Sequence, residues 1–381
     1  MKKYLIVLIC ILSCQHVFAQ TDFLKRFIRK MYLDKDSTKK PNFVLVPALA
    51  SSPETGFEFG GAALFSFYTD TAKHSITRVS NLFGYAAITT KGQEKVSLNG
   101  TYWTPGNKWY YTTNVSYYNY PFDFYGIGNN TLKANLVTIE EKRTRFGGTA
   151  ENLIMKNIYA GFSGGIMKYY YYSGTHYENL DFKDNPEVQD HNGGSLVYAG
   201  GILVYDSRNN NTYTTKGTYI NTYCNLYQGI FGNNGYTGGF FNLDFGEYFK
   251  LLKPLVLAFD LKEQSLIGGQ SPFYLLPQLG NDALMRGYYT GRYRDRNLLA
   301  GQGELRYRIT DRFGIVGFLG WGEVASGSFS VSALKPDIGG GLRYFFDTEK
   351  GLSMRADYGI GEQVPGEARQ QGFYIALGES F

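Results

Sequence analysis

From Pro41 onward the chain alternates with a period of two, and one of the two faces so defined carries charge. Residues 351–361 set Leu352, Met354, Ala356, Tyr358 and Ile360 against Ser353, Arg355, Asp357 and Gly359. Residues 297–309 set Leu299, Leu305, Tyr307 and Ile309 against Gln302, Glu304, Arg306 and Arg308. In residues 372–381, Phe373, Ile375, Leu377 and Phe381 share one face, and Tyr374, Ala376, Gly378 and Ser380 the other. Period two belongs to strands. A charged face cannot line the dry core of a sandwich, because an ion moved out of water without a partner costs far more than packing returns. Lipid on the apolar face and a wet lumen on the other satisfy both, and closing the sheet leaves no unpaired edge in the bilayer. The pattern predicts an all-β fold, a transmembrane antiparallel β-barrel with long surface loops.

Segments of this kind number about sixteen: 43–50, 56–68, 76–88, 93–104, 108–119, 142–154, 157–171, 194–206, 217–228, 236–249, 253–266, 297–310, 313–323, 337–346, 351–361 and 371–381. Connections after even-numbered segments are mostly short, as at Met155-Lys156-Asn157 and Thr310-Asp311-Arg312. Those after odd-numbered ones include 120–141, 172–193 and 267–296. Short turns on one side and long loops on the other are what a membrane barrel needs, and an even count brings both ends to the periplasm. The turn at 207–216 is long for its side. Aromatic residues make up 17% of the chain, with Gly 47 and Pro 11, as suits strands with aromatic girdles at the membrane interfaces.

The first residues are expected to be a targeting segment. Lys2 and Lys3 precede an apolar run, Tyr4 to Leu12, too short to span a bilayer, and Val17-Phe18-Ala19 offers a cleavage site, so 1–19 reads as a signal peptide. Cys10 and Cys14 fall within it. Cys224 alone remains, which rules out an intramolecular disulfide in the barrel. In residues 20–40, Phe23, Leu24, Phe27, Ile28 and Met31 fall at helical spacing opposite Lys25, Arg26, Arg29 and Lys30. They read as a short periplasmic amphipathic helix or linker that plugs the lumen, lies on the membrane or only joins the barrel. The barrel itself is 41–381.

Catalytic and metal patterns are weak. Asp190-His191-Asn192 with Ser195 offers acid, base and nucleophile by type, but neighbours on a strand or loop point in different directions and a triad must converge. Asp181, Asp184 and Asp190 lack the ligand spacing of a calcium loop. Paired-cysteine zinc spacing and nucleotide-binding glycine motifs are missing from the sequence. The formal charge of +5, with no basic cluster interleaved with aromatics, argues against nucleic acid. The reading is of a non-enzyme with no cofactor and no metal.

Residues 284–295 read Leu-Met-Arg-Gly-Tyr-Tyr-Thr-Gly-Arg-Tyr-Arg-Asp. With Pro53-Glu54-Thr55-Gly56, Asp206-Ser207-Arg208-Asn209 with Lys216-Gly217, and Asp337 to Tyr344 with Arg355-Ala356-Asp357-Tyr358, the ordered set resembles the BamA/TamA (bacterial surface antigen) family of outer-membrane assembly and transport barrels. The resemblance spans Pro41–Phe381. It implies sixteen strands and a surface loop folded back into the lumen, locked there by Arg286, Gly287 and Tyr288. Glu304 occupies the position of a family acid facing the loop arginine. On the next strand the family usually carries an Asp where this chain has Gly320, so Asp357 is expected to stand in as the second partner. Arg306, Arg308, Arg343 and Arg355 are expected to make the lumen basic, which leaves an anion-favouring pore as the alternative function. Phe373, Ile375, Leu377 and Phe381 resemble the terminal signal that makes such a barrel a client of the cell's own barrel-assembly machinery. Family members that handle polypeptides usually carry POTRA domains, and the stretch before Pro41 is too short to fold as one. Client capture is then expected from the short helix, a separate periplasmic partner or the lumen, at a seam between 43–50 and 371–381 in contact with outer-membrane lipid.

Overall fold

The computed structural model describes residues 41–72, 76–173, 182, 185–231, 235–348 and 351–381. The expected signal peptide, the segment 20–40, His74, His176, Asp181 and Asp184 lie outside these residues.

Among the described residues, seventeen strands form one antiparallel sheet. They are β1 (Asn42–Ser52), β2 (Gly56–Phe67), β3 (Ser80–Thr89), β4 (Glu94–Trp103), β5 (Trp109–Asn119), β6 (Phe122–Phe124), β7 (Val137–Met155), β8 (Ile158–Ser173) and β9 (Gly193–Asp206) in the first half. The second half holds β10 (Gly217–Ile230), β11 (Thr237–Leu252), β12 (Leu255–Gly268), β13 (Asn297–Arg308), β14 (Phe313–Ala325), β15 (Lys335–Asp347), β16 (Leu352–Ile360) and β17 (Gln371–Leu377). Sixteen of them close a barrel, since β5 pairs directly with β7 and β17 returns to β1; β6 is a short rider on the β7 extension.

Alternation decides which way each side chain points. On β13, Leu305 and Tyr307 are exposed to the outside while Gln302, Glu304 and Arg306 are buried within. Phe43, Leu45, Phe59, Leu319 and Leu342 belong to the same outer apolar surface, which is stable against acyl chains and not against water. No helix among the described residues is long and apolar enough to cross a membrane.

Three segment ends differ from the sequence expectation by four residues or more, each for a local reason. Residues 76–79 do not extend β3, because the Arg78 N–H goes to Asn107 Oδ1 (2.6 Å) and the Thr77 hydroxyl takes the Gly106 N–H (2.8 Å), which caps a neighbouring turn. β7 starts at Val137, five residues earlier than 142, because β6 supplies a partner edge there. β17 stops at Leu377. Gly378 takes φ +81°, its N–H donates to Ser353 O (2.7 Å), and the chain turns into the lumen mouth. Phe381 therefore does not share the outer face with Phe373 and Leu377. Its ring lies beneath the Arg306 guanidinium (4.6 Å) and beside Tyr248 (6.1 Å), and its backbone oxygen accepts from Arg306 Nη2 (3.0 Å). A left-handed glycine ends the alternation, and a buried guanidinium supplies the reason to turn inward.

Closure is uneven. β1 lies along β2 from Asn42 to Ser52, and β16 along β17 from Met354 to Leu377. Between β1 and β17 only Ser51 and Ile375 stand in register. At the end of the barrel that carries the short turns, the long turn 207–216 is held by Asp206, which accepts from Arg208 Nε (3.0 Å) and the Arg208 N–H (3.1 Å) and pairs with Arg78 (3.5 Å). Tyr213 from this turn meets Phe345 edge-on at 5.1 Å.

Candidate functional site

The connection from β12 to β13 does not stay at the surface. Leu279, Leu284, Met285, Tyr288 and Tyr293 pack with Leu298, Ala300 and Val324 of the wall. Burying these side chains draws the loop into the lumen, at about 1.5–3 kcal/mol for each large one fully covered. Asn281 Oδ1 then gathers the Ala283 and Leu284 N–H groups (2.7 and 2.8 Å), and Met285 adopts φ +59°. That sharp reversal puts Arg286 at the tip, fully buried.

Four strands meet this arginine. Nη1 donates to Asp357 Oδ2 of β16 at 2.8 Å, and Nη2 donates to Glu304 of β13. The guanidinium carbon sits 3.5 Å from the centre of the Phe318 ring on β14. Asp337 of β15 accepts the backbone N–H groups of Arg286 (2.9 Å) and Gly287 (2.8 Å). A side chain at Gly320 would place its Cβ 3.4 Å from the Met285 sulfur and 3.2 Å from Gln302 Cβ, so the loop crowds that position. Phe318 takes the guanidinium face and Asp357 the second carboxylate role.

The surrounding charges are interlocked. Glu304 also pairs with Arg306 (2.8 Å) and accepts the Ser380 hydroxyl (2.6 Å). Asp357 also pairs with Arg343 and Arg355, while Arg343 reaches Glu379 (2.7 Å) and Arg355 reaches Asp282 (2.6 Å). Arg308 lies at the short-turn end of the barrel, donating to Asp311 O (2.6 Å) above the Phe345 ring (4.2 Å). Arg306, Arg343 and Arg355 thus sit among carboxylates rather than lining an open path. Buried charges of both signs in contact offset much of each other's desolvation cost, and removing one member strands the rest.

The loop also touches both flanks of the seam. Tyr374 of β17 donates its hydroxyl to Tyr288 O (3.2 Å), and the Thr290 N–H donates to Glu54 (2.5 Å) in the turn between β1 and β2. Tyr288 donates to Pro336 O (2.6 Å); burial pushes its hydroxyl well above the usual tyrosine range, so it remains a donor. Farther out Arg292 pairs with Glu367 (2.6 Å). Burial pulls the Glu367 carboxyl up, but the Lys133 N–H (2.5 Å) and Arg292 outweigh it and hold the group below its ordinary range.

Glu54 and Asp337 stand in the sequence motifs with no part in the expected loop lock, and Phe318 is given none either. Asp337 carried a signal: it shares a strand face with Gly339, Gly341 and Arg343, charged at both ends and empty between. Asp337→Ala is expected to release the loop tip, leaving two buried N–H groups unpaired at about 1–3 kcal/mol each. A lowered urea midpoint with faster cleavage inside 269–296 by added protease is the readout; unchanged cleavage would mean that the tip is held without Asp337.

Phe373 and Leu377 point outward, and Ile375 is half-buried at the seam. Asp190 has φ +55° and accepts the Gly193 N–H (2.7 Å), while His191 Nε2 lies 3.2 Å from Asn192 Nδ2, so this stretch is a closed turn leading into β9. Among the described residues no group of His, Cys, Asp and Glu is placed to hold a metal ion.

The barrel recurs in solved structures. BamA from Haemophilus ducreyi lacking POTRA domains 1-3 superposes with a TM-score of 0.58 over 95% of this chain and 78% of that one, at 13% identity. The chain shares that barrel fold. CdiB from Acinetobacter baumannii gives 0.55 over 89% of this chain and 60% of its own, at 11% identity. No family model matches the sequence, and no curated protein matches it.

Proposed function

We propose that the barrel sits in a bacterial outer membrane and aids insertion or translocation of a protein or lipid there, through the seam between β1 and β17. The single registered pair Ser51 and Ile375 carries this reading. The other junctions between the sixteen barrel strands each have seven or more registered pairs, and a backbone hydrogen bond is net worth about 0.5–1.5 kcal/mol, so the seam is the junction that opens at least cost. The inward loop is its latch, with Thr290 on Glu54 at one flank and Tyr288 on Tyr374 at the other. The motif resemblance and the fold likeness to BamA support the same class of activity. Partners on this reading are outer-membrane lipid, the assembly machinery that inserts this barrel, and a separate periplasmic protein that delivers clients. A passive anion pore is less well supported, because Arg306, Arg343 and Arg355 are engaged by carboxylates.

The test is a reversible cross-link. In a Cys224→Ser background, Ser51→Cys with Ile375→Cys places two thiols at a registered antiparallel pair, within reach of a disulfide. Oxidation is expected to reproduce the change in outer-membrane protein content seen on deleting the protein, and reductant to reverse it. A cross-linked barrel that sustains a parental outer-membrane proteome, while the deletion does not, sinks the seam mechanism.

A further inference from the structure

Loop and wall line a half-open cavity of about 710 Å3, within the size range of small-ligand pockets. Its wall runs from Ser51 and Ile375 at the seam to Arg145 on β7 and Arg294 on the loop. Most charges along it are spoken for. Glu58 pairs with Lys95 (2.7 Å), Glu141 with Arg143 (3.4 Å), Lys262 with Asp244 (2.9 Å) and Asp282 with Arg355 (2.6 Å). Glu54 is turned to the Thr290 N–H.

Two cations are left over. Among the described residues neither Arg145 nor Arg294 has a carboxylate within 4.0 Å. Among the described residues the Arg294 side chain, 1% exposed, donates only to Gly291 O (3.2 Å from both Nε and Nη2) and stacks over Phe122 (5.3 Å) and Phe124 (5.0 Å). Burial pulls its guanidinium down to about 10, still a cation at neutral pH. Arg145 donates to the Tyr169 hydroxyl and lies over that ring (5.4 Å), and its buried Nε has no partner. One aromatic wall joins them: Tyr171 stands 6.2 Å from Tyr169 and 6.3 Å from Phe122. Neutral acceptors and ring faces offset a buried cation less well than an oxyanion does.

We propose that this cavity binds a phosphosugar, with Arg145 and Arg294, at the two ends of that aromatic wall, supplying the positive charge that draws the phosphate. A phosphate monoester carries about two negative charges near neutral pH, matching the two unpaired cations. The rest of the wall suits a sugar. Gln264 and Gln278 offer amide oxygens to its hydroxyls. The ligand is either a free sugar phosphate or the headgroup of a phosphoglycolipid whose chains stay in the bilayer. Entry of a headgroup through the seam rests on the function proposed above; the site itself does not.

Titration calorimetry on the purified full-length barrel in detergent decides it, with glucose 1-phosphate, glucose and inorganic phosphate as probes. Glucose 1-phosphate is expected to bind at least tenfold more tightly than either other probe. Arg145→Gln and Arg294→Gln should each weaken it at least tenfold, with heat-modifiable gel mobility showing that the barrels are folded. Equal affinity for the three probes, inorganic phosphate binding as tightly (an adventitious ion only), or unchanged affinity in a folded variant overturns the site. If one variant fails to fold, the other decides. Native mass spectrometry from nanodiscs containing a phosphorylated glucosamine lipid separates the sources: a lipid adduct lost in Arg145→Gln identifies a headgroup, and calorimetric binding without an adduct identifies the free sugar phosphate. With the seam cross-linked, free probe should still bind. Lipid loading that persists in the cross-linked barrel counts against the seam route and leaves the site standing.

Discussion

Replacing Arg286 by alanine is expected to lower the unfolding free energy by about 3 kcal/mol, the low end of what breaking a buried ion pair costs. The low end applies because Glu304 keeps Arg306, and Asp357 keeps Arg343 and Arg355. What is lost is the cation that ties two carboxylates and the Phe318 ring to the loop tip. Arg286→Lys should recover less than half, since a single ammonium cannot face both carboxylates and lie flat on a ring. Urea midpoints followed by tryptophan fluorescence in micelles give the stability. Single-channel conductance gives the consequence, with frequent open events where the parent is quiet. An unchanged midpoint together with a quiet channel would show that the hydrophobic anchors Leu279, Leu284 and Tyr293 hold the loop without the arginine.

A single methyl group should do comparable damage without touching any charge. A Cβ at Gly359 would lie 2.6 Å from the Arg286 carbonyl carbon and 2.7 Å from the Gly287 nitrogen, both backbone atoms. Gly372 on β17 faces the Arg286 oxygen as closely, at 2.5 Å. Loop and wall therefore meet backbone to backbone, and Gly359→Ala must move the tip off Asp337 and Asp357. Overpacking of this kind costs about 1–3 kcal/mol, before any hydrogen bond is lost. Gly317→Ala on β14 is the matched control, because a Cβ there meets nothing within 4 Å. Gly359→Ala should open 269–296 to protease at least tenfold faster than Gly317→Ala. Equal cleavage of the two would place the loop tip away from β16.

Much of the architecture is legible in the chain because a strand's side chains alternate whatever the fold does around them. Leu305 and Tyr307 against Glu304 and Arg306 reads the same in sequence and in space. That parity places Glu304 and Asp357 inside, and the structure sets both against Arg286. Parity fails where the strand ends. Residues 378–381 continue the pattern on paper, yet Gly378 turns them inward and Phe381 packs on Arg306. It is equally silent about residues 122–124, whose pairing depends on β7 extending past its neighbours.

Thus the sequence by itself determined the sheet, its near-sixteen segments, the outward apolar surface and the lumen charges, since each follows from local periodicity. Only the tertiary structure decided that β1 and β17 meet at one registered pair, that Asp337 and two glycines receive the loop tip, and that Arg145 and Arg294 are left without carboxylates. Those depend on where a 28-residue connection, 269–296, comes to rest, which hydrophobic burial and charge pairing across distant strands settle together.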